Sequence, residues 1–155
     1  MAYFQQVVDE LSQQNWWVIV PLFFFYFLGG YFLYSSIFAA LGSAIGDDVA
    51  EGQSLTIPVS MLIMLGFLFM IAAIRNPNSS LAFWSGIFPF FSPIIMPARL
   101  AFNPPWWEIL LSMVVLVGTA IFFVWLSGRI YRVGILMYGK KANFKELSKW
   151  LFYKD

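Results

Sequence analysis

Residues Trp106–Leu126 read WWEILLSMVVLVGTAIFFVWL, and this stretch decides the class of fold. It carries one charge, Glu108, which lies in its first turn. A helix that crosses a bilayer needs about 20 predominantly apolar residues, so the stretch is long enough to cross. The pair Trp106 and Trp107 is typical of the headgroup level, where such amphipathic rings are enriched. We therefore predict a transmembrane helix over about 106–126.

The rest of the chain is equally apolar. Of its 155 residues, 61% are hydrophobic and 11% are charged, whereas about 25% of an average soluble domain is charged. The charges cluster and leave long uncharged runs, which are Leu11–Gly46, Gly52–Ile74, Asn76–Ala98 and Ile109–Gly128. We predict an all-α integral membrane protein that forms a single transmembrane domain over residues 1–155. Its predicted spans are about 17–41, 55–74 and 106–126.

Cysteine and histidine are both absent from the sequence. Their absence excludes disulfides, thiol nucleophiles, imidazole bases and the most common zinc-binding sets. The charges nearest the spans fit the membrane boundaries: Arg75 and Arg99 outside, and Glu108 where a carboxylate complements the dipole of the last span. No fixed charge remains at mid-bilayer to carry protons or ions. We predict no catalytic, cofactor-binding or metal-binding residue in this chain.

The distribution of basic residues sets the expected orientation. Seven of the nine Lys and Arg residues lie between Arg129 and Lys154, and the positive-inside rule places that end in the cytoplasm. Residues 1–15 contain Asp9 and Glu10 but no Lys or Arg, and we interpret them as an external flank. The first span would then run inward and the second outward.

The tail, residues 129–155, ends in a predicted amphipathic helix on the cytoplasmic side. Its apolar face consists of Phe144, Leu147 and Leu151, and its basic face consists of Lys141, Lys145 and Lys149. Such a helix can lie on anionic lipid. Docking of the same helix onto a cytoplasmic partner is the alternative.

The segment Leu81–Ala98 is apolar enough for a further span, but it contains Pro89, Pro93 and Pro97. Each proline removes a backbone donor and clashes with the preceding turn of a helix. Broken backbone at membrane depth is tolerated only where protein or water covers it. We therefore predict a re-entrant segment of paired short helices over about 81–98 that dips back from the outer side. A kinked complete span is the alternative, and it would place Met1 on the cytoplasmic side.

Small residues near the end of the first span carry a packing signal. Gly42 and Gly46 form a GxxxG pattern, which lets two membrane helices approach closely. The pattern fits packing within the chain, and it also fits a dimer seam or a moving transport interface. Spacing alone does not distinguish these interpretations.

Five stretches carry a resemblance to a known family. They are FYFLGGYFLYSS (Phe25–Ser36), RNPN (Arg75–Asn78), PFFSPIIM (Pro89–Met96), WWEILLS (Trp106–Ser112) and IYRVGILMYGK (Ile130–Lys140). Together they resemble the carboxy-terminal membrane half of ABC-2 type permeases, which belong to sodium-extruding and drug-extruding ABC exporters. The last of the five is the most distinctive.

The resemblance implies a permease in the bacterial plasma membrane that a separate ABC ATPase subunit powers, with ATP bound on that subunit. It also implies six spans per permease half, short re-entrant helices before the last span, and a second permease half or a homodimer. Because three complete spans are predicted here, we expect a fragment or a truncated permease. The lipid bilayer is a further expected partner, and no nucleic acid is expected.

The loop that carries Asp47, Asp48 and Glu51 resembles the family's acidic second cytoplasmic loop. It is therefore the candidate contact with the ATPase, and a solvated turn is the alternative. Two other classes of function stay open on the sequence alone. One is a non-transporting membrane scaffold or accessory subunit, and the other is a membrane-embedded enzyme that works through another chain's catalytic groups.

Overall fold

A computed structural model describes residues 1–45 and 49–136, together with positions 145, 148 and 149. Within these residues the chain is helical, without strands. The α-helices are α1 (Ala2–Ser12), α2 (Trp16–Ala44), α3 (Val49–Arg75), α4 (Ser80–Ile87), α5 (Ser92–Arg99) and α6 (Trp106–Leu136), and a 3₁₀ turn, Leu100–Phe102, follows α5. The predicted all-α membrane architecture is confirmed.

Three helices in the described part of the chain, α2, α3 and α6, are long and apolar enough to cross a membrane. They contain 29, 27 and 31 residues, and each covers one predicted span. All three exceed the predicted bounds, because helical hydrogen bonding continues through polar residues where the apolar run stops. In particular, α6 continues past Arg129 and Arg132. The first residues of the predicted tail therefore belong to the last long helix, whereas most of that tail lies outside the described residues.

The predicted external flank contains a helix that was not predicted from the sequence. This helix, α1, covers 11 residues, and every residue in it is exposed. It ends just before α2, from which only residues 13–15 separate it.

The beginning of α2, the end of α3 and the beginning of α6 lie together. Gln14 Nε2 donates a hydrogen bond to the carbonyl of Ala101 at 2.9 Å, which places the start of α2 beside the 3₁₀ turn. The ring of Phe83 in α4 packs against Trp107 of α6, with centroids 5.5 Å apart. Because α4 and α5 form a helical hairpin here, we call this the hairpin end of the molecule.

The opposite end is held by small and aliphatic side chains. Its buried cluster contains Ala40, Leu41, Ala44, Leu55 and Ile130. These residues come from the last turns of α2, the first turns of α3 and the later part of α6. Their contact holds the three long helices together at the end remote from the hairpin.

The segment 81–98 forms two helices of eight residues each. At 1.5 Å per residue each is about 12 Å long, well short of a hydrocarbon core of about 30 Å. Phe88 has φ −60° and ψ 121°, the extended conformation expected before Pro89. Pro93 lies in the first turn of α5, where a missing N–H is tolerated, and Pro97 lies inside the same helix. Of the three prolines, Pro89 therefore marks the break.

The hairpin returns to the end from which it starts. Arg99, the last residue of α5, donates a hydrogen bond to the carbonyl of Pro77, just before α4, at 3.3 Å. The hairpin bend reaches the middle of α2, where a Cβ on Gly30 would lie 2.6 Å from the Cβ of Pro93. Only glycine permits this approach. The shape matches the predicted pair of short helices, and its depth in a bilayer stays a prediction.

The main core lies between α2 and α6 and receives side chains from α5. It contains Tyr26, Leu33, Met96, Leu100, Ile109, Leu116 and Ala120. A second cluster joins α3 to the hairpin and contains Ala73, Ala82, Phe91 and Ile95. In the most apolar window of each long helix, however, no more than 22% of residues are buried. Most residues of the spans are therefore at least partly exposed.

Candidate functional site

An ion pair is buried at the hairpin end. Arg99 Nη2 lies 2.8 Å from Glu108 Oε2, and the two side chains are 5% and 11% exposed. Arg99 is in the last turn of α5 and Glu108 is in the first turn of α6. Each charge therefore has the sign that complements the dipole of its own helix. The pair closes the connection between the two helices.

Arg99 also contacts the turn before the hairpin. Its Nη2 donates to Pro77, as noted above, and its Nη1 lies 3.9 Å from the sulfur of Met96. Gly86 of α4 is packed so closely that a Cβ there would lie 2.9 Å from Nη1. Within the part of the chain that the structure describes, Nε has no hydrogen-bond partner. Arg99 thus joins the start of the hairpin to its end and to α6.

A second polar contact links α2 to α6 one turn further along. The hydroxyl groups of Tyr26 and Ser112 share a hydrogen bond, and both side chains are fully buried. The carbonyl oxygen of Ile109 lies 3.3 Å from the Tyr26 hydroxyl and 2.9 Å from the Ser112 hydroxyl. We call Tyr26, Arg99, Glu108 and Ser112 the polar cluster. It connects α2, the hairpin and α6 at one end of the molecule.

The bend of the hairpin is aromatic. Its rings pack against α3 and α6, with centroid distances of 5.2 Å for Phe69–Phe91 and 5.5 Å for Phe90–Phe123. The hydroxyl of Tyr34 in α2 donates to the carbonyl of Phe90. The bend is therefore in contact with all three long helices.

The prolines predicted for this segment have distinct places. Pro89 lies in the bend between α4 and α5, whereas Pro93 and Pro97 belong to α5. Pro93 packs on Gly30 at the middle of α2. Pro93 thus contacts a neighbouring helix, whereas Pro89 follows the end of α4 and breaks the helix.

Of the three residues predicted to contact the ATPase, the structure describes one, Glu51. Glu51 lies in the first turn of α3 and is half-exposed. Asp47 and Asp48 lie outside the described residues. Glu51 is one turn before Leu55, a member of the cluster that holds the end of the molecule remote from the hairpin.

Of the two glycines predicted to pack helices together, the structure describes one, Gly42. Gly42 is exposed on α2, and no described atom lies within 4 Å of the position of its Cβ. Gly46 lies outside the described residues. The buried small residues of this region are Ala40 and Ala44. The packing role of the GxxxG pattern stays a prediction.

An apolar groove of about 540 Å³ runs between α2 and α6. It is lined by Phe25, Leu28, Gly29, Phe32, Val117, Ala120, Ile121, Val124 and Trp125. This lining suits acyl chains or further apolar helices. Across residues 1–45 and 49–136, no three acidic side chains come together in an arrangement that could hold a metal ion.

Comparison with known proteins places these features in a family. A family model described as "ABC-2 family transporter protein" matches residues 1–129. The chain belongs to the ABC-2 family of transporter proteins. The resemblance found in the sequence is thereby confirmed.

Two curated proteins are similar to this ABC-2 chain. One is the uncharacterized protein YhaP of Bacillus subtilis (strain 168), 29% identical over 123 residues, which cover 79% of this chain and 29% of YhaP. The other is the uncharacterized protein MJ1024 of Methanocaldococcus jannaschii, 27% identical over 126 residues, which cover 81% of this chain and 31% of that protein. The chain therefore spans less than a third of the length of these relatives. No solved structure matches it.

The contacts within the polar cluster of this ABC-2 chain were not predicted from the sequence. Arg99 and Glu108 were predicted at membrane boundaries but not as a pair. The available signal was the occurrence of opposite charges on the two sides of the turn that contains Pro104 and Pro105. Tyr26 and Ser112 carried no signal of their own, since hydroxyl side chains are common in membrane helices.

Proposed function

We propose that this chain forms part of the permease of an ATP-driven exporter and that its hairpin closes the translocation path on the outer side of the membrane. The observation that carries the proposal is the hairpin. It enters among three candidate spans, ends where it begins and is tied there by the buried Arg99–Glu108 pair. Membership of a transporter family supports the assignment.

The charges of α6 support an orientation with the hairpin end outside. Glu108 lies at the hairpin end of this helix, and Arg129 and Arg132 lie near the other end. Basic residues favour the cytoplasmic side of a membrane. In this orientation the carboxy-terminal end of the chain is cytoplasmic and the hairpin dips inward from the outer leaflet.

A separate ABC ATPase supplies the energy in this proposal, and ATP binds to that subunit. Its contact is the acidic loop of Asp47, Asp48 and Glu51. Glu51 is near Leu55, whose cluster includes Ile130 of α6. Since α6 continues from there to Arg132, Glu51 lies at the proposed cytoplasmic end.

The path requires surfaces beyond this chain, because most residues of the long helices stay at least partly exposed. A second permease half or a second copy provides them. Movement of α2 or α6 would reach the hairpin through the polar cluster, in which Tyr26 bonds to Ser112 and Arg99 pairs with Glu108. The hairpin thereby opens or closes in step with the long helices.

The test is capture of an ABC ATPase by the tagged chain from membranes of the organism that encodes it. We expect an ATPase to copurify with the wild-type chain and the Glu51→Lys substitution to reduce its recovery, since the charge at the contact is reversed. Glu10→Lys is the matched control, because it reverses a charge on α1 at the hairpin end and should leave recovery unchanged.

Two negative outcomes separate the parts of the proposal. Recovery of intact wild-type chain without any ABC ATPase contradicts the exporter assignment and favours a non-transporting membrane scaffold. Equal recovery of the ATPase with wild-type chain and with Glu51→Lys rejects the acidic loop as the contact and leaves the exporter assignment standing.

A further inference from the structure

The helix α1 has an uncovered apolar face. Phe4, Val7, Val8 and Leu11 fall within an arc of about 100°, since successive residues of a helix are about 100° apart. Their side chains are 74%, 37%, 46% and 47% exposed. A contiguous apolar face of this kind is an interaction surface rather than a surface suited to water.

The opposite face of α1 is polar and acidic. It carries Gln6, Asp9 and Glu10. Neither α1 nor the residues that follow it up to Ile74 include a Lys or Arg. Helices that bind membranes through anionic lipid are rich in basic residues on the polar face. The charge of α1 therefore indicates a surface whose attraction does not depend on anionic lipid.

The end of α1 is fixed at the boundary of a membrane span. The connection to α2 consists of residues 13–15, which reach at most about 11 Å even when extended. Trp16 Nε1 donates to the carbonyl of Leu11 at 2.8 Å, and Gln14 Nε2 donates to Ala101 at 2.9 Å. Because α2 is a candidate span that begins at Trp16 and tryptophan favours the headgroup level, α1 ends at that level.

We propose that α1 is an interfacial helix that lies in the plane of the membrane at the hairpin end. Its apolar face inserts at the boundary between headgroups and acyl chains, and lipid is its partner. The continuity with α2 supports this, because the surface of a transmembrane region begins where α1 ends. The acidic polar face then points to water, and zwitterionic lipid suffices for binding.

The position of α1 gives the helix a mechanical role. Gln14 joins the α1–α2 connection to Ala101 in the 3₁₀ turn, directly after Arg99. An α1 held in the interface therefore fixes the turn that carries the hairpin into α6. The headgroup level of the membrane thereby sets the position of the hairpin.

Spin labels on single cysteines test the proposal in the full chain, which has no native cysteine. Val8→Cys and Leu11→Cys place labels on the apolar face, and Gln6→Cys and Glu10→Cys place matched labels on the polar face. In phosphatidylcholine vesicles we expect labels on the apolar face to collide more with oxygen and less with a water-soluble nickel chelate than labels on the polar face. Addition of phosphatidylglycerol should leave this pattern unchanged.

Three outcomes overturn the proposal. Equal access of the nickel chelate to both faces places α1 in water. Protection of the apolar face from both reagents places it against protein, either a second copy or another part of a longer chain. A pattern that emerges only with phosphatidylglycerol shows that anionic lipid is required. Two positions on each face keep the test decisive if one variant fails to insert.

Discussion

Arg99 and Glu108 are charged residues in apolar surroundings, and the value of their contact depends on the presence of both. Transfer of a charge out of water is costly, and the attraction between the pair offsets that cost only while each has its partner. The oxygen–nitrogen distance of 2.8 Å and the additional bond to Pro77 satisfy part of the hydrogen-bonding capacity of Arg99. Loss of one partner should therefore be far worse than loss of both.

The first prediction concerns this pair. Glu108→Gln leaves a buried guanidinium without its carboxylate and should lower the free energy of unfolding by about 3–5 kcal/mol. The double substitution Arg99→Met/Glu108→Leu should recover much of that loss, because no unpaired charge remains. Equilibrium unfolding in detergent micelles, followed by tryptophan fluorescence, measures both effects.

The control for the ion pair is Arg75→Met, which removes an exposed charge at the end of α3. Surface substitutions of this kind usually change stability by no more than about 0.5 kcal/mol. If Glu108→Gln costs no more than Arg75→Met, the ion pair does not hold the hairpin end together.

Residue contacts of this kind could not be predicted from the sequence. The charges of Arg99 and Glu108 were visible, and so was the Asn103-Pro104-Pro105 turn between them. Their pairing depends on the backbone path through the 3₁₀ turn and on Asn103, which adopts the left-handed conformation with φ 49°. A single sequence does not specify that path, because Asn takes up both left-handed and ordinary conformations.

At the scale of elements, the long helices were predictable because a bilayer demands a length of apolar chain that few other structures need. The break at Pro89 was predictable for a local reason, since proline restricts the residue before it. The helix α1 was missed, because 11 residues of mixed polarity do not form a stable helix by propensity alone. In the proposed interfacial position, insertion of its apolar face would stabilise the helix.

The second prediction concerns the direction of the hairpin. Ser80 and Ala101 are exposed residues just inside and just beyond its two ends. In sealed membrane vesicles, a membrane-impermeant maleimide should label Ser80→Cys and Ala101→Cys from the same side, because the hairpin returns to its starting end. Ser54→Cys, exposed at the beginning of α3, should be labelled from the opposite side.

Labelling of Ser80→Cys and Ala101→Cys from opposite sides would contradict the re-entrant interpretation. It would favour the kinked complete span, which places Met1 on the cytoplasmic side of the membrane. Protein solubilised in detergent, in which both cysteines are accessible, controls for the reactivity of each position.

At the scale of the whole molecule, the described helices bury little of one another. No more than 22% of the residues in any spanning window are buried, and the chain matches less than a third of the length of YhaP and MJ1024. Lipid can cover such surfaces, but a transport path needs further helices. The sequence could indicate their existence only through the family, because uncovered apolar residues look alike whether lipid or protein covers them.

The third prediction separates these two kinds of covering at Gly42. This residue is exposed on α2, with no described atom within 4 Å of its Cβ position, and it begins the GxxxG pattern. If a second copy packs there, Gly42→Leu should reduce the dimeric fraction strongly, because a leucine keeps the helices apart.

Gly118→Leu is the matched control, since Gly118 is equally free of described neighbours on α6. Single-molecule photobleaching of labelled chain, diluted in lipid vesicles, counts the copies in each particle. A dimeric fraction that Gly42→Leu leaves unchanged would assign this face of α2 to lipid and direct the search for a second copy to the groove between α2 and α6.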